Sequence, residues 1–167
     1  MRTQIKPFEL FRETTEKLSG DGALLVAGTP PNPMTIGWGT LGIIWGIPVM
    51  QVLVRPTRFT FGLMEQTADF SVCFFQEKYA KELAICGTRS GRDTDKLATC
   101  GFRLEKGILI RTPHILEAAF HYECRIIHKH RIDPATLDPK IIKRYYPKKD
   151  FHMVYYGEVV GTFINEQ

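Results

Sequence analysis

Two short segments carry most of the side chains that could bind a phosphate. Residues 55–60 (RPTRFT) place two guanidinium groups and two hydroxyls directly after an apolar stretch. Pro56 fixes the direction in which the chain leaves that stretch. Guanidinium and hydroxyl groups bind phosphate oxygens through strong hydrogen bonds. Taken alone, the segment also fits an ordinary surface turn with solvated arginines and a threonine that caps the next helix.

The second segment, residues 90–96 (SGRDTDK), combines a flexible backbone with further donors. Gly91 permits a concave run of backbone N–H groups, and Ser90, Arg92 and Lys96 can all donate to an anion. A helix that starts just after the segment adds the positive end of its dipole. The spacing of a nucleotide triphosphate loop is absent. A simple capped loop explains this segment alone, but two donor clusters in one chain favour a bound phosphate.

The remaining motifs do not support a dinucleotide fold or a metal site. Residues 37–42 (GWGTLG) fit the glycine pattern of a dinucleotide fold, but no acidic residue follows between Gly22 and Glu65, and residues 43–48 cannot open a long helix. These glycines instead let a strand bend or a flat ligand approach the backbone. His128 and His130 alternate on one strand face, but no third ligand is evident, so we predict no metal site. No catalytic residue is assigned.

Composition excludes several classes of protein. The 167 residues are 44% hydrophobic and 24% charged, which is typical of a globular chain, and we predict one domain over residues 1–167. A net charge of +4 is too small to indicate nucleic acid. Residues 140–149 (KIIKRYYPKK) are the only candidate stretch of exposed aromatic residues interleaved with basic ones, and we interpret it as a solvated or dimer-contacting segment. The N-terminus lacks an apolar signal region, and glycines and Pro48 interrupt the apolar stretch 34–54. We therefore predict a cytoplasmic protein with reduced thiols that binds neither membrane nor nucleic acid.

The elements that would position the donors are short strands with helices between them. Alternating and β-branched segments predict strands at 23–26, 34–44, 49–54, 70–75, 108–111, 118–130 and 153–163. Helical spacing predicts helices at 9–18, 60–66, 78–85 and 95–99. This pattern indicates a mainly β protein, a barrel with helical decoration.

Four segments in register resemble the flavin reductase-like, FMN-binding split-barrel family, close to its flavoredoxin-type branch. They are residues 32–38 (NPMTIGW), 54–60 (VRPTRFT) and 86–96 (CGTRSGRDTDK), and a final pair of His152 and 156–159 (YGEV). Their order and spacing cover about residues 18–160. The resemblance implies a six-stranded antiparallel split β-barrel (Greek key) with short inserted helices. It also implies a homodimer with FMN near the subunit interface.

The resemblance further implies which residues of the FMN site lie near the ring and which lie near the phosphate. Residues 34–39 would flank the isoalloxazine ring, with Thr35 as a hydrogen-bonding residue, and whether Trp38 stacks on the ring or packs in the barrel is left open. The donors of residues 55–60 would hold the ribityl chain and phosphate, and those of residues 90–96 would complete the phosphate site. The implied cofactor-binding residues are Asn32, Met34, Thr35, Ile36, Trp38, Gly39, Arg55, Thr57, Arg58, Thr60, Ser90, Gly91, Arg92 and Lys96.

The function implied is that of an FMN-dependent oxidoreductase. It would pass electrons from NADH or NADPH through FMN to an acceptor, which is how flavin reductases work. The alternative is a flavoredoxin-like electron carrier that has no nicotinamide site and serves a redox protein partner. In both cases the cofactor supplies the difficult chemistry, so an obvious acid–base pair is not required.

Overall fold

The structure, a computed structural model, describes residues 2–165 and consists mainly of antiparallel strands. The strands are β1 Arg2–Ile5, β2 Ala23–Ala27, β3 Asn32–Ile36, β4 Gly39–Ile44, β5 Ile47–Val54, β6 Asp69–Phe74, β7 Leu104–Glu105, β8 His114–Ile115, β9 Phe120–Arg131 and β10 Met153–Asn165. The helices are α1 Phe11–Ser19, α2 Phe59–Met64, α3 Ala80–Thr88, α4 Lys96–Cys100 and α5 Pro139–Tyr145, with a 3₁₀ turn at Glu77–Tyr79. No helix within residues 2–165 is long and apolar enough to cross a membrane.

The main sheet runs in the order β3-β2-β6-β9-β10-β5-β4, and β1 pairs with the end of β10. Strands β3 and β4 are therefore the two ends of the order. Only Gly37 and Trp38 separate them along the chain. The three steps from Ile36 to Gly39 span at most about 11 Å, so the sheet has to curl until its ends meet. The result is a barrel with a seam between β3 and β4, which are not paired in the part of the chain described.

The predicted fold class is confirmed, and the strand count differs. The main sheet has eight strands rather than six, and β7 and β8 form a separate pair. The predicted strand 34–44 breaks at Gly37, because β3 pairs with β2 while β4 pairs with β5. The predicted strand 108–111 is wrong: these residues form an irregular loop whose amides bind carboxylates on neighbouring strands.

Two apolar cores hold the candidate site in place. The barrel interior is filled by side chains such as Leu25, Val52 and Phe70. A second cluster lies between helix α3 and the outer face of the sheet, where Leu83 and Cys86 pack with strand residues. Burying this helix against the sheet is driven by the removal of apolar surface from water. It sets the chain after α3, which carries residues 90–96, beside strand β3.

Candidate functional site

Two adjoining hollows form one groove along the β3–β4 seam. We name them the Trp38 hollow and the Lys96 hollow. The Trp38 hollow is lined by Met34, Thr35, Ile36, Gly37, Trp38, Leu53, Arg55, Arg58 and His152. The Lys96 hollow is lined by Met34, Thr57, Arg58, Phe59, Thr60, Cys86, Thr88, Arg89, Ser90, Gly91, Arg92 and Lys96. Because Met34 and Arg58 line both hollows, the groove is continuous, and the two donor segments meet on it.

The Lys96 side chain is a buried cation. Only 3% of Lys96 is exposed, and its Nζ donates to the backbone oxygen of Cys86 at 3.1 Å. Within residues 2–165 it forms no ion pair with a carboxylate. Burial lowers the pKa of Lys96 from its ordinary value, and the nearby charge of Arg58 lowers it further. Buried charges in proteins are normally paired, so an anion in the hollow would satisfy this ammonium group.

Three arginines add to the positive charge of the Lys96 hollow. Arg58 donates to the backbone oxygen of Gly87 at 3.3 Å, and Arg92 donates to that of Thr57 at 3.4 Å. Arg89 also lines the hollow. None of these guanidinium groups pairs with a carboxylate in the described chain, and each retains further N–H donors. The donor set fits a dianionic group such as a phosphate monoester.

Close packing explains why the loop after α3 can reach strand β3. A Cβ atom on Gly91 would lie 2.5 Å from Cδ1 of Phe59 and would also collide with Oδ1 of Asn32. Only glycine lets the backbone approach this closely. The carboxylate of Asp95 then accepts from the amide of Ala98 at 3.0 Å and caps helix α4, which begins with Lys96.

The side chains of Asn32 and Thr35 form hydrogen bonds within the chain, and Gly39 lies outside both hollows. Asn32 lies behind the Lys96 hollow, where its amide donates to the hydroxyl of Thr60 at 2.9 Å. Gly39 lines neither hollow and starts strand β4 opposite Val52. Thr35 lines the Trp38 hollow but donates its hydroxyl hydrogen to the backbone oxygen of Leu83.

Arg55 lies in the Trp38 hollow, apart from the residues that line the Lys96 hollow. Its guanidinium pairs with Asp150 at 2.9 Å and lies 5.0 Å from the ring centroid of Tyr146. It also donates to the backbone oxygen of Tyr145 at 2.9 Å. These contacts neutralise Arg55 and fix it at the wall of the hollow, and they attach the region around α5 to the end of β5.

Trp38 and His152 also line the Trp38 hollow. Trp38 is 41% exposed, and its ring meets Tyr145 edge-on at 5.1 Å. Its centroid lies 5.1 Å from that of His152. The Nδ1 of His152 is hydrogen-bonded to the hydroxyl of Tyr146 at 2.7 Å. Burial lowers the pKa of His152 to about 4, and the charge of Arg55 acts in the same direction, so its imidazole is neutral at pH 7.

Several lining residues were not assigned from the sequence. Leu53 carries no polar side chain, so no chemical signal marked it. Arg89 directly precedes the predicted donor segment, and extending that segment by one residue would have included it. His152 belongs to the resembling segments, but its role depends on Tyr146, which packs beside it only in the folded chain.

Comparison with known proteins assigns the family. The model of the family described as "Flavin reductase like domain" matches residues 17–167. The chain belongs to this family. A flavoredoxin of Desulfovibrio vulgaris (Miyazaki F) is 19% identical, with a TM-score of 0.67 over 86% of this chain and 69% of that one. Component B of nitrilotriacetate monooxygenase from Bacillus cereus is 15% identical, with a TM-score of 0.69 over 98% and 82%. Both structural similarities show that this chain shares the fold of these proteins.

A match among curated proteins is an uncharacterised protein of Archaeoglobus fulgidus. It is 25% identical over 115 residues, which cover 68% of this chain and 64% of the relative. The chain therefore matches a little under two thirds of that protein's length.

Proposed function

We propose that the groove binds FMN, with the phosphate in the Lys96 hollow and the isoalloxazine ring in the Trp38 hollow. The observation that carries this proposal is the buried ammonium of Lys96, which has no carboxylate partner in the described chain and lies at one end of a groove that continues to Trp38. Solved relatives include an FMN-binding protein from Thermus thermophilus, 23% identical with a TM-score of 0.66 over 84% of this chain.

The donors divide between the phosphate and the ribityl chain. Lys96, Arg58 and Arg92 supply positive charge to the phosphate, while Ser90 and the backbone N–H of Gly91 supply neutral donors. Such charge-assisted bonds are about twice as strong as neutral ones. The hydroxyls of Thr57 and Thr60 also line this hollow. Thr60 accepts from Asn32, so its own hydrogen is available to an oxygen of the cofactor, and Asn32 acts as a positioning residue.

The Trp38 hollow would hold the ring. Met34, Thr35, Ile36 and Gly37 present a strand edge that ends at the seam, and Trp38 covers one side. Backbone N–H groups at such an edge can stabilise negative charge on a reduced flavin. Arg55 stays at the wall because Asp150 neutralises and holds it. We assign it to the ring side of the groove and not to the phosphate.

When bound, FMN supplies the hydride and single-electron chemistry of an oxidoreductase. The chain would bind the cofactor, orient it and limit its contact with water. Of the side chains that line the Trp38 hollow, His152 is the best suited to carry a proton, because its imidazole is neutral at pH 7. Tyr146 engages Nδ1, which leaves Nε2 as the nitrogen able to exchange a hydrogen bond with a bound molecule.

The flavin-binding part of the proposal is tested by titrating flavin-free protein with FMN. We expect one FMN per chain, read from the quenching of flavin fluorescence, and weaker binding of riboflavin, which lacks the phosphate. Stoichiometric binding of riboflavin with the same affinity as FMN would contradict a phosphate site at Lys96.

We propose NADH or NADPH as the electron donor. Anaerobic mixing of the FMN-loaded protein with each nucleotide should bleach the flavin absorbance. Absence of bleaching with both, in protein that binds FMN, would leave the electron-carrier function, with a redox protein as partner. The structural likeness to flavoredoxin favours that second candidate.

We also propose that the chain forms a homodimer. The β4–β5 hairpin exposes large apolar side chains: Ile43 is 60% and Trp45 64% exposed. Trp45 extends over Tyr156 and His128 on the neighbouring strands, which makes the exposed surface continuous. A second copy of the chain would remove this surface from water. Light scattering after size exclusion should give twice the chain mass of 19.1 kDa, and a monomer at micromolar concentration would contradict it.

A further inference from the structure

Three metal-ligating side chains meet away from the groove, beneath the loop of residues 106–113. His114 lies on β8, and His121 and Glu123 lie two residues apart on β9, so they share one face of that strand. All three are 0% exposed. Oε1 of Glu123 is 3.9 Å from Nδ1 of His114 and 3.7 Å from Nε2 of His121. We call these residues the His114 cluster.

The imidazoles of the cluster are buried without hydrogen bonds. In the chain from 2 to 165, none of their four ring nitrogens has a partner. The rings of His114 and His121 are stacked, with centroids 3.9 Å apart and an interplanar angle of 7°. Buried polar atoms in proteins are almost always paired. Two of these unpaired nitrogens, Nδ1 of His114 and Nε2 of His121, lie within 4 Å of the Glu123 carboxylate. They therefore indicate a partner that the protein side chains do not supply.

The carboxylate is held in a fixed position. Its Oε1 accepts from the amide of Ile108 at 2.7 Å, and its Oε2 accepts from the amide of Leu109 at 2.6 Å. Each carboxylate oxygen has a second acceptor position, so Glu123 can still bind a cation. Backbone hydrogen bonds of this kind orient metal-binding carboxylates in known sites. The positive charge of Arg2 on the same side is paired with Glu105 at 2.6 Å.

We infer that the His114 cluster binds a divalent transition-metal ion of the Zn²⁺ class. Two imidazoles and one carboxylate are an established ligand set for Zn²⁺, with a fourth position for water. Ligands about 2.0–2.1 Å from a tetrahedral ion lie about 3.4 Å apart. The separations of 3.7 and 3.9 Å exceed this by a few tenths of an ångström. The rings would also turn out of their stacked arrangement, because each lone pair lies in its ring plane.

An ion at this position would join the β7–β8 pair, the main sheet and the loop of residues 106–113. His114 belongs to the short β7–β8 pair, His121 belongs to the main sheet, and Glu123 holds the loop above them through its amides. The ion would therefore contribute to folding of the outer face and not to flavin chemistry. The site is independent of the proposed FMN groove, and both can be tested in flavin-free protein.

The test is titration of metal-free, flavin-free protein with Co²⁺, whose visible absorption reports coordination by protein ligands, followed by competition with Zn²⁺. We expect one Co²⁺ per chain, displaced by Zn²⁺, and a higher melting temperature with either ion. His121→Gln should weaken Co²⁺ at least about 100-fold, since even changes outside the ligand shell cost 10–100-fold. The matched control is the double variant His128→Gln and His130→Gln, which removes an exposed pair from the same strand and should leave binding unchanged.

Three results would overturn the inference. The first is absence of stoichiometric Co²⁺ and Zn²⁺ binding to the wild-type chain, which would mean that ordered water fills the cluster. The second is loss of binding in the His128 and His130 control with retention in His121→Gln. The third uses only wild-type protein, so it does not depend on how a variant folds. X-ray absorption of the Zn²⁺-loaded chain should show two imidazoles and one carboxylate, and sulfur ligands would contradict it.

Discussion

Replacing Lys96 with methionine tests whether the buried ammonium binds the phosphate of FMN. Methionine keeps the length and apolar stem of the side chain and removes only the charge and its hydrogen bonds. A hydrogen bond to a charged group contributes about 1.5–3 kcal/mol. Since about 1.4 kcal/mol corresponds to tenfold in affinity, Lys96→Met should weaken FMN about 10- to 150-fold. Riboflavin lacks the phosphate, and its affinity should change less than about twofold.

The assay is fluorescence titration of the flavin-free variants with FMN and with riboflavin. Lys81→Met is the matched control, because Lys81 is exposed on helix α3 and its loss changes the net charge equally. This control should bind both flavins as the wild type does. Equal weakening of FMN and riboflavin by Lys96→Met would mean that Lys96 supports the fold of the groove and not the phosphate. The same FMN affinity in wild type and variant would refute the reasoning altogether.

Three other perturbations have defined outcomes. Gly91→Ala should weaken FMN about tenfold or more by titration, because overpacking costs about 1–3 kcal/mol, whereas Gly62→Ala, with open space around it, should not. In urea unfolding of flavin-free and metal-free protein, His152 should account for up to about 3 kcal/mol of the stability lost as the pH drops from 6.5 to 4. Burial lowers the pKa of His152 to about 4, so the unfolded chain takes up the proton first. His114 and His121, whose pKa values burial also lowers, add to this loss. His152→Gln should therefore reduce the slope without abolishing it, and an unchanged slope would contradict the contribution of His152. Tyr122→Phe should cost about 1–2 kcal/mol in the same assay, since it leaves the buried hydroxyl of Thr14 without its 2.7 Å partner; an unchanged midpoint would show that Thr14 finds another partner.

Local patterns in the sequence predicted both donor segments of the groove, whereas their convergence was implied only by the family resemblance. Residues 55–60 and 90–96 could be recognised because arginine, lysine and hydroxyl side chains cluster beside a proline and a glycine. Their meeting depends on the curl of the sheet and on the docking of α3 against its outer face. Both are consequences of long-range packing, which local sequence patterns do not reveal.

The turn between β4 and β5 was predicted, and the break between β3 and β4 was not. Trp45 and Gly46 both have positive φ, 54° and 74°, as a two-residue hairpin turn requires. The apolar run before it contains glycines that let a strand bend, but nothing in their pattern shows that the strand breaks at Gly37. The run divides at Gly37 because β3 pairs with β2 at one end of the sheet and β4 pairs with β5 at the other. This arrangement is a property of the whole barrel.

The His114 cluster was missed for a different reason. Alternation along β9 places His121 and Glu123 on the face opposite Phe120, Tyr122 and Cys124, which face the core, but a period of two does not say whether the second face is covered. It is covered because residues 106–113 form a loop over it, and that segment had been predicted in part as a strand.

The two-residue link at Gly37 and Trp38 restricts how a ligand can be exchanged. Because strands β3 and β4 are tethered so closely, they cannot separate to admit a molecule as large as a flavin. Release must instead involve displacement of the segment between α3 and α4, in which Gly91 packs closely against Asn32 of β3. Lengthening the tether by a few glycines should then open a second route and raise the dissociation rate, while stiffening the segment between the two helices should lower it.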